Sequence, residues 1–443
     1  MSTQYLSVSW LKLLWHTRFG VILQSVLIGI GTGFVVLGFR IALGYSEHVR
    51  TLLYAFLPRS SPLWTLVWIL SLVALGVFLG FLSKLRPMIK GSGIPQIKGE
   101  LRGVMWHRWL SELPLKFVSA LLSIGAGLSL GREGPSVQMG GYIGKAMSRI
   151  GHRSPAELRY LMISGAAAGL SAAFNAPLAG VIFALEELHK QFSPLMLLCA
   201  MAASAMGDFV SSHFFGMRPS FSFPEIVPLA LNHFPWLILL GLLAAAGGDL
   251  FKKSLYFSQS LYSKLHVPMI VRPVVPLLVS VPLGFFLAET IGGGHELVEH
   301  LAVARYSLVL LAGLFFVKLA FSGLSYGAGT AGGIFLPLLV CGALLGTAFG
   351  TVLFSLGLVA EIEIVNFLIL GMAAFFTAVV RAPVTGTVLI LEMSGNLSHL
   401  GGLVIVCLIA QLACDLVRSR PVYDVLLYHQ ARAAMQQQMK AQP

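Results

Sequence analysis

Long apolar stretches recur along the whole chain of 443 residues, and no other feature constrains its fold as strongly. Several of them are long enough to cross about 30 Å of hydrocarbon. Charged residues make up only 11% of the chain, whereas soluble domains carry about 25%. The sequence therefore predicts a membrane protein with many spans. The stretches lie near 20–45, 63–83, 194–207, 235–248, 273–288, 306–323, 335–355, 364–380 and 400–417.

Two further apolar segments, 161–173 and 177–185, are short and rich in glycine and alanine. Such segments are typical of helices that enter a membrane without crossing it simply. The four cysteines also lie in apolar segments, and their spacing suits neither a metal site nor a disulfide framework. We interpret them as small buried hydrophobic residues.

A net charge of +12 would suggest nucleic-acid binding in a soluble protein, but here the charges lie in loops between apolar stretches. The positive-inside rule places the most basic loop, which follows stretch 63–83, in the cytoplasm. A cytoplasmic N-terminus followed by two crossings leads to the same side. Residues 1–19 are expected to form a lead-in helix without a removable signal peptide. The basic residues of the loop are Lys84, Arg86, Lys90, Lys98, Arg102 and Arg108.

The two halves of the chain repeat each other. Identical residues recur at an offset of 202 positions between 116 and 144, and at an offset of 206 between 165 and 186. Transporters are often built from two such repeats, with broken helices that meet near the midplane of the bilayer. Polar residues that differ between the repeats are candidates for chemistry. Glu133 corresponds to Phe335, and Glu187 corresponds to Met393.

Residues 131–135 read Gly-Arg-Glu-Gly-Pro inside an almost unbroken apolar background. A carboxylate at membrane depth, here that of Glu133, is costly unless it faces a polar cavity or an ion path. The flanking glycines leave backbone amides bare, and Pro135 suits the first turn of a helix. Bare amides at a helix N-terminus bind anions, so the sequence predicts competition between a carboxylate and a mobile anion.

Two other glycine breaks also expose donors. Gly91–Pro95 presents backbone amides and the hydroxyl of Ser92, and Gly332–Pro337 repeats the theme in the second half. Donors without a full charge suit an anion that must be released again. Taken alone, the first motif is more typical of an ordinary turn. Lys116 and Lys318 are a matched pair of buried cations that we expect to pair with helix C-termini or acids.

Two adjacent acids follow the segment that ends at residue 185. Glu186 matches Glu392 in the repeat, which favours a structural role for that pair. For Glu187 two interpretations stay open, a solvated helix end or a cytoplasmic proton entrance that leads toward Glu133. Tyr423, after the last apolar stretch, is either a hydroxyl donor or part of an interfacial tyrosine belt.

The motifs Gly91–Pro95, Gly131–Pro135 and Gly332–Pro337 occur in the order that is typical of the CLC chloride channels and transporters. The chain resembles this family over roughly residues 20–430, and Phe174–Gly180 is a fourth match. The resemblance implies an all-α fold with two inverted-topology repeats of tilted and broken helices. It also implies a homodimer with a separate anion path in each subunit.

The resemblance also implies roles for particular residues. Ser92 and Tyr423 look like side-chain donors of a central chloride site, and the backbone amides of Ile334 and Phe335 look like its main-chain donors. Glu133 resembles the external gating glutamate, which blocks the anion path and carries the proton.

Glu187 resembles the internal proton-transfer glutamate of the exchanger branch, which channels of the family commonly replace by an apolar residue. Its presence favours a prokaryotic chloride/proton antiporter, with a passive chloride channel as the alternative. An enzyme would need a nucleophile paired with a base at membrane depth, and the histidines lie mostly in or beside loops. Neither a cofactor nor a metal is expected.

The chain is expected to divide into a lead-in helix, a first repeat, a second repeat and a cytoplasmic tail, without the paired regulatory CBS domains of eukaryotic relatives. The expected location is the inner membrane, with both termini in the cytoplasm. Four segments look too apolar for a cavity wall, and the resemblance implies that part of their surface forms the dimer contact. The divisions are 1–19, 20–225, 226–425 and 426–443, and the contact segments are 161–173, 177–185, 364–376 and 400–417.

Overall fold

Helices form nearly all of the regular structure in a computed structural model that describes residues 17–223 and 227–441. Within these ranges two isolated bridges are the only β-type pairings. Eight helices there are long and apolar enough to cross a membrane, and they coincide with eight of the nine apolar stretches. The ninth stretch, 273–288, forms the shorter helix Val274–Phe286, which contains Pro282. The prediction of an all-α membrane protein is confirmed.

Among the described residues, the first repeat contains eight α-helices, and the second repeat contains eight α-helices in the same order. Helices α1 to α8 are Arg18–Phe56, Pro62–Leu85, Ile94–Leu101, Trp109–Gly125, Glu133–Ile150, Pro155–Phe174, Pro177–Phe183 and Pro194–Phe215. Helices α9 to α16 are Pro235–Lys264, Val274–Phe286, His295–Val303, Leu308–Gly327, Phe335–Ser355, Ile364–Val380, Pro383–Ser394 and Leu400–Leu416. A last helix, α17, is Val422–Ala441. Helix α7 continues as a π-helical turn, Ala184–His189.

Only some of the boundaries predicted from the sequence fall within the described residues. Most of the predicted lead-in helix, residues 1–16, and the predicted boundary at 225/226 lie outside the described residues. Helix α17 runs across the predicted boundary at 425/426. The segment 161–173 belongs to α6, which has 20 residues and is therefore longer than the sequence pattern indicated.

An antiparallel pairing between equivalent glycines relates the two repeats. The amide of Gly131 donates to the carbonyl of Gly333 at 2.7 Å, and the amide of Gly333 donates to the carbonyl of Gly131 at 2.7 Å. Residue 333 is the repeat counterpart of residue 131. Two equivalent segments that exchange identical bonds while running in opposite directions are related by a local two-fold axis. Inverted-topology repeats, as predicted, are related by such an axis when it lies in the plane of the membrane.

Each repeat caps a helix of the other repeat. Glu186 accepts hydrogen bonds from the amides of Val384 at 3.2 Å and Thr385 at 2.7 Å, in the first turn of α15. Glu392 accepts from two amides in the first turn of α7, at 3.0 and 2.7 Å. Carboxylates satisfy the free amides of a helix N-terminus and oppose its positive dipole end. The structural role predicted for Glu186 and Glu392 is confirmed.

The paired lysines hold backbone carbonyls. Lys116 donates to the carbonyls of Ile89 at 2.9 Å and Gly91 at 2.7 Å. Lys318 donates to those of Thr290 and Gly292 at 3.0 and 2.9 Å. The prediction of helix ends or acids as partners was right only in part, because turn carbonyls are the partners. Through Gly91, Lys116 helps to fix the loop that carries Ser92.

Shared glycines mark the closest helix contacts. A side chain at Gly140 would collide with the carbonyl of Gly165, which joins α5 to α6. A side chain at Gly342 would lie 2.7 Å from the carbonyl of Gly371, which joins α13 to α14 in the same way. Small residues let membrane helices approach closely, and the repeat conserves the two contacts for that reason.

Candidate functional site

The glycine breaks of the two repeats meet in the interior of the protein. The amide of Gly91 donates to the carbonyl of Thr330 at 2.9 Å, and the amide of Gly332 donates to the carbonyl of Gly91 at 3.0 Å. Together with the Gly131–Gly333 pair, these bonds join the loops that precede α3, α5 and α13. Three helix N-termini are thereby brought to one place, and each contributes free amides to it.

Ser92 lies in a sharp turn that is enclosed by this junction. Gly91 and Gly93 have φ angles of 61° and 96°, which glycine adopts far more easily than other residues. The side chain of Ser92 is fully buried. A Cβ atom at Gly134, in the first turn of α5, would collide with the Ser92 hydroxyl. The glycines therefore bring the Ser92 hydroxyl close to the start of α5. The motif is thus a buried turn at the junction and not an ordinary surface turn.

Tyr423 brings α17 to the same place. It lies in the first turn of α17 and is fully buried, so it is not part of an interfacial tyrosine belt. Its hydroxyl lies beside the Ser92 side chain, yet it makes no hydrogen bond of normal geometry within the described part of the chain. A buried hydroxyl is costly without a partner, so this one is a candidate donor to a bound group.

Ile334 and Phe335 begin α13, and both are fully buried. Their amides belong to the free donors of that helix. The ring of Phe335 packs against Phe376 at 4.9 Å and Phe174 at 5.4 Å between ring centroids. The backbone of Phe335 therefore faces the junction, while its side chain forms an aromatic wall beside it.

Glu133 is the first residue of α5 and is fully buried. Its carboxylate lies against the amides of its own helix start and of Leu336, yet neither oxygen makes a hydrogen bond of normal geometry within residues 17–223 and 227–441. The acid thus occupies the space in front of helix N-termini from both repeats. An anion that bound to these amides would have to displace the carboxylate, which is the arrangement that the predicted competition requires.

Glu187 is 1% exposed, and its carboxylate lies 2.5 Å from the ammonium of Lys98. A solvated helix end is therefore the wrong interpretation of this residue. Glu187 and Glu133 are separate groups, and Tyr423 lies close enough to both to interact with them electrostatically. The site consequently has an acid at the junction and a second buried acid beyond Tyr423.

A cavity of about 390 Å³ lies at the end of α1. It reaches Gly293, where an added Cβ atom would lie 2.7 Å from the side chain of Leu336. Leu336 is next to the carboxylate of Glu133, so the cavity approaches the junction from this side. The Lys98 pair lies beyond the end of α2, and α1 and α2 are consecutive spans. The cavity and Glu187 are therefore on opposite sides of the junction.

Sequence reasoning missed Tyr326, near the end of α12. Its side chain is buried, and its hydroxyl lies beside the Ser92 backbone without a hydrogen bond of normal geometry in the described ranges. A Cβ atom at Gly91 would lie 2.9 Å from this oxygen. Ile124 is the repeat counterpart of Tyr326. The polar difference between the halves that marks Glu133 and Glu187 therefore marks Tyr326 as well.

Comparison with known proteins gives the same family over most of the chain. The voltage gated chloride channel family matches residues 75–415. The H(+)/Cl(-) exchange transporter ClcA of Salmonella paratyphi B is 35% identical over 422 residues, which cover 93% of this chain and 89% of that protein. ClcA of Citrobacter koseri is 35% identical over 427 residues, with the same coverage.

Solved structures share the fold. A slow cyanobacterial Cl⁻/H⁺ antiporter has a TM-score of 0.89 and 30% sequence identity, covering 94% of this chain and 99% of that chain. A CLC-type fluoride/proton antiporter has a TM-score of 0.73 and 25% identity, covering 89% of this chain and 94% of that chain. With inverted repeats, glycine breaks at one junction and these relatives, the chain belongs to the voltage gated chloride channel (CLC) family.

Proposed function

We propose that this protein is a secondary active antiporter that moves chloride across the membrane in exchange for protons. The observation that carries the proposal is the pair of buried acids that both interact electrostatically with Tyr423. Glu133 occupies the junction of helix N-termini, where an anion would bind, and Glu187 does not. The relatives named as H(+)/Cl(-) exchange transporters support transport rather than an enzymatic reaction.

Neutral donors suit the chloride step. The hydroxyls of Ser92 and Tyr423 and the amides of Ile334 and Phe335 would surround the ion without a full positive charge. Such a site binds an anion weakly enough to release it. Protonation of Glu133 removes its negative charge and its attraction to the helix N-termini, which frees the place for chloride.

The proton step needs the second acid. Glu187 would take a proton from the cytoplasmic side and pass it toward Glu133. The rings of Phe174 and Phe183 pack against that of Phe335 beside the junction, and none of the three offers a titratable group. A transient chain of water molecules would therefore bridge the two acids. A passive chloride channel would need Glu133 as a gate, but it would not need a proton-transferring acid at position 187.

Purified protein in proteoliposomes tests the proposal. With an outward chloride gradient and no initial pH gradient, chloride efflux should drive protons into the vesicles against the pH gradient that builds up. An external pH electrode records this proton uptake. A protonophore should collapse the proton gradient, and vesicles without protein provide the baseline. Chloride efflux without proton entry would support the channel and contradict the antiporter.

Two further features of the transporter belong to the proposal, its location and its orientation. We place it in the inner membrane with both termini in the cytoplasm. The eight spans make it an integral membrane protein, and the basic residues after α2 favour a cytoplasmic side for the loop. Glu187 faces Lys98 of that same region.

The homodimer belongs to the proposal as well, with a contact on α7, α15 and α16. Leu178, Val384, Leu408 and Leu412 on these helices are all at least 50% exposed. Of the four segments whose surface was predicted to supply part of the contact, 161–173 and 364–376 are largely buried in the protomer and do not belong to the contact proposed here. Their small and apolar residues pack inside the protomer instead.

Size-exclusion chromatography with light scattering in detergent checks the dimer. The protein mass should be twice 47.7 kDa. Leu412→Trp should weaken the dimer, because the larger side chain does not fit a packed apolar contact. Tryptophan at Leu70, which is equally apolar and exposed on α2, is the matched control and should leave the dimer intact. A monomer for the unsubstituted protein would contradict the assignment.

Removal of the Tyr326 hydroxyl should weaken chloride binding. Tyr326→Phe keeps the ring but deletes a buried donor beside Ser92. A hydrogen bond to a charged group contributes about 1.5–3 kcal/mol, so the Kd for chloride should rise by about tenfold or more. Isothermal titration calorimetry in detergent measures the change. Tyr262→Phe is the control, since the Tyr262 hydroxyl bonds the carbonyl of Leu324 instead. Equal Kd values for both variants would exclude Tyr326 from the chloride site.

A further inference from the structure

A buried ammonium joins the internal acid to the last helix. Lys98 is fully buried at 0% exposure, on the short helix α3. Its Nζ atom lies 2.5 Å from Oε1 of Glu187 and 2.7 Å from Oδ1 of Asp424. One cation is thus shared between two carboxylates that come from different parts of the fold.

The second carboxylate is held as an anion. Asp424 is 27% exposed and also contacts Lys190 at 2.7 Å and Arg102 at 3.2 Å. Burial raises the pKa of Asp424, but hydrogen bonds from Lys190 and Lys98 lower it to about 2. Asp424 therefore stays ionised over the whole physiological range and always competes for Lys98.

Other charged groups near the cluster have partners of their own. Glu100, on the same helix as Lys98, pairs with Lys145 and with His107. Glu186, next to Glu187, is turned away and caps α15. Arg159 of the adjacent helix α6 interacts with His189. The cluster of Lys98, Arg102, Glu187, Lys190 and Asp424 thus holds three cations and two anions. Protonation of Glu187 leaves Asp424 as its one anion.

Both helices tied by Lys98 carry a donor of the candidate chloride site. Ser92 lies just before α3, and Tyr423 is the residue before Asp424 in α17. The strength of the Lys98–Asp424 contact therefore acts on the two helices whose starting residues face each other at the junction.

We propose that Lys98 is a positioning residue that transmits the protonation of Glu187 to the helices that carry Ser92 and Tyr423. This inference rests on the proposed function of Glu187. When Glu187 is ionised, Lys98 is shared between two carboxylates. When Glu187 is protonated, the ammonium moves fully to Asp424 and draws α3 and α17 together. The reverse move accompanies release of the proton.

Two substitutions should shift the pH dependence of proton transport in opposite directions. Lys98→Met removes the cation that stabilises ionised Glu187, so the protonated acid is favoured. The internal pH of half-maximal proton flux should rise by about one unit or more. Asp424→Asn leaves Lys98 to Glu187 alone, so ionised Glu187 is favoured and this pH should fall. A merely structural role would not give shifts of opposite sign.

The coupling ratio is the second readout. Both variants break the buried Lys98–Asp424 ion pair, so more chloride ions should cross per proton, as obtained from reversal potentials in proteoliposomes. Lys98→Arg keeps the charge and should restore the ratio. Lys253→Met removes a lysine from the exposed pair with Asp249 and is the matched control, with an unchanged ratio and pH profile.

Glu187→Gln, measured in the same series, distinguishes a failure of the proposed antiporter function from a failure of the role proposed for Lys98. Proton flux that persists in Glu187→Gln contradicts the proposed function itself. Loss of proton flux in Glu187→Gln, with pH shifts of the same sign or no shift in the other two variants, contradicts only the role of Lys98. Asp424 is partly exposed, so Asp424→Asn alone decides the sign if Lys98→Met does not fold. A fall in its half-maximal pH supports the inference, and a rise or no change overturns it.

Discussion

Vesicles that contain Glu133→Gln should move chloride without moving protons. Glutamine has the shape of the protonated acid but carries no exchangeable carboxyl proton. It also lacks the negative charge that attracts the side chain to the helix N-termini of α5 and α13. Proton uptake under a chloride gradient should therefore fall to the level of empty vesicles, while chloride efflux remains measurable.

Glu133→Ala provides the complementary variant. It removes the side chain that fills the junction, so chloride efflux should also lose its dependence on external pH. Chloride efflux recorded with an ion-selective electrode at two pH values tests this point. Proton coupling that survives in either variant would show that another group is the gate.

Glu187→Gln should also eliminate proton flux while chloride flux persists. Its amide cannot accept and release a proton, and no other buried acid in the described ranges lies beside Tyr423 on this side. Proton uptake and chloride efflux are measured in the same vesicles at matched protein content. A wild-type level of proton uptake would return the protein to the channel alternative or move the proton entrance elsewhere.

Glu186→Gln is the control for Glu187→Gln, because it changes the adjacent residue in the same way. Glu186 binds two amides and a hydroxyl at the start of α15. Glutamine keeps one acceptor oxygen but loses the charge, which should lower the free energy of unfolding by about 1–3 kcal/mol. Proton coupling should persist, and thermal unfolding in detergent should begin at a lower temperature. Loss of coupling equal to that of Glu187→Gln would undo the distinction between the two acids.

Much of the fold and site could be predicted because the chain is duplicated. Residues that match between the repeats have architectural roles. Gly140 and Gly165 form a close helix contact, and Glu186 caps a helix. Mismatched polar residues are buried at or near the candidate site, as Glu133 and Glu187 are. The comparison of halves separates the two classes because both repeats need the same packing but meet at a single junction.

Other features could not be predicted in this way. Tyr326 carried the same signal as Glu133, but an isolated tyrosine in an apolar helix is also a common core residue. The cluster around Lys98 is formed by residues that lie far apart in the chain, so only the tertiary fold brings Lys98 to Asp424. Which part of the four apolar segments is surface could not be predicted, because small apolar residues suit a buried helix as well as an interface.

The reciprocal caps have a consequence for how the chain is made. Synthesis delivers the first repeat to the membrane before the second one exists. At that stage the first amides of α7 lack the carboxylate of Glu392, and Gly131 lacks its partner. Unpaired backbone groups are costly in hydrocarbon. The newly made first repeat is therefore incompletely folded on its own. Its folding is completed only after the second repeat has been inserted and the two repeats pack against each other.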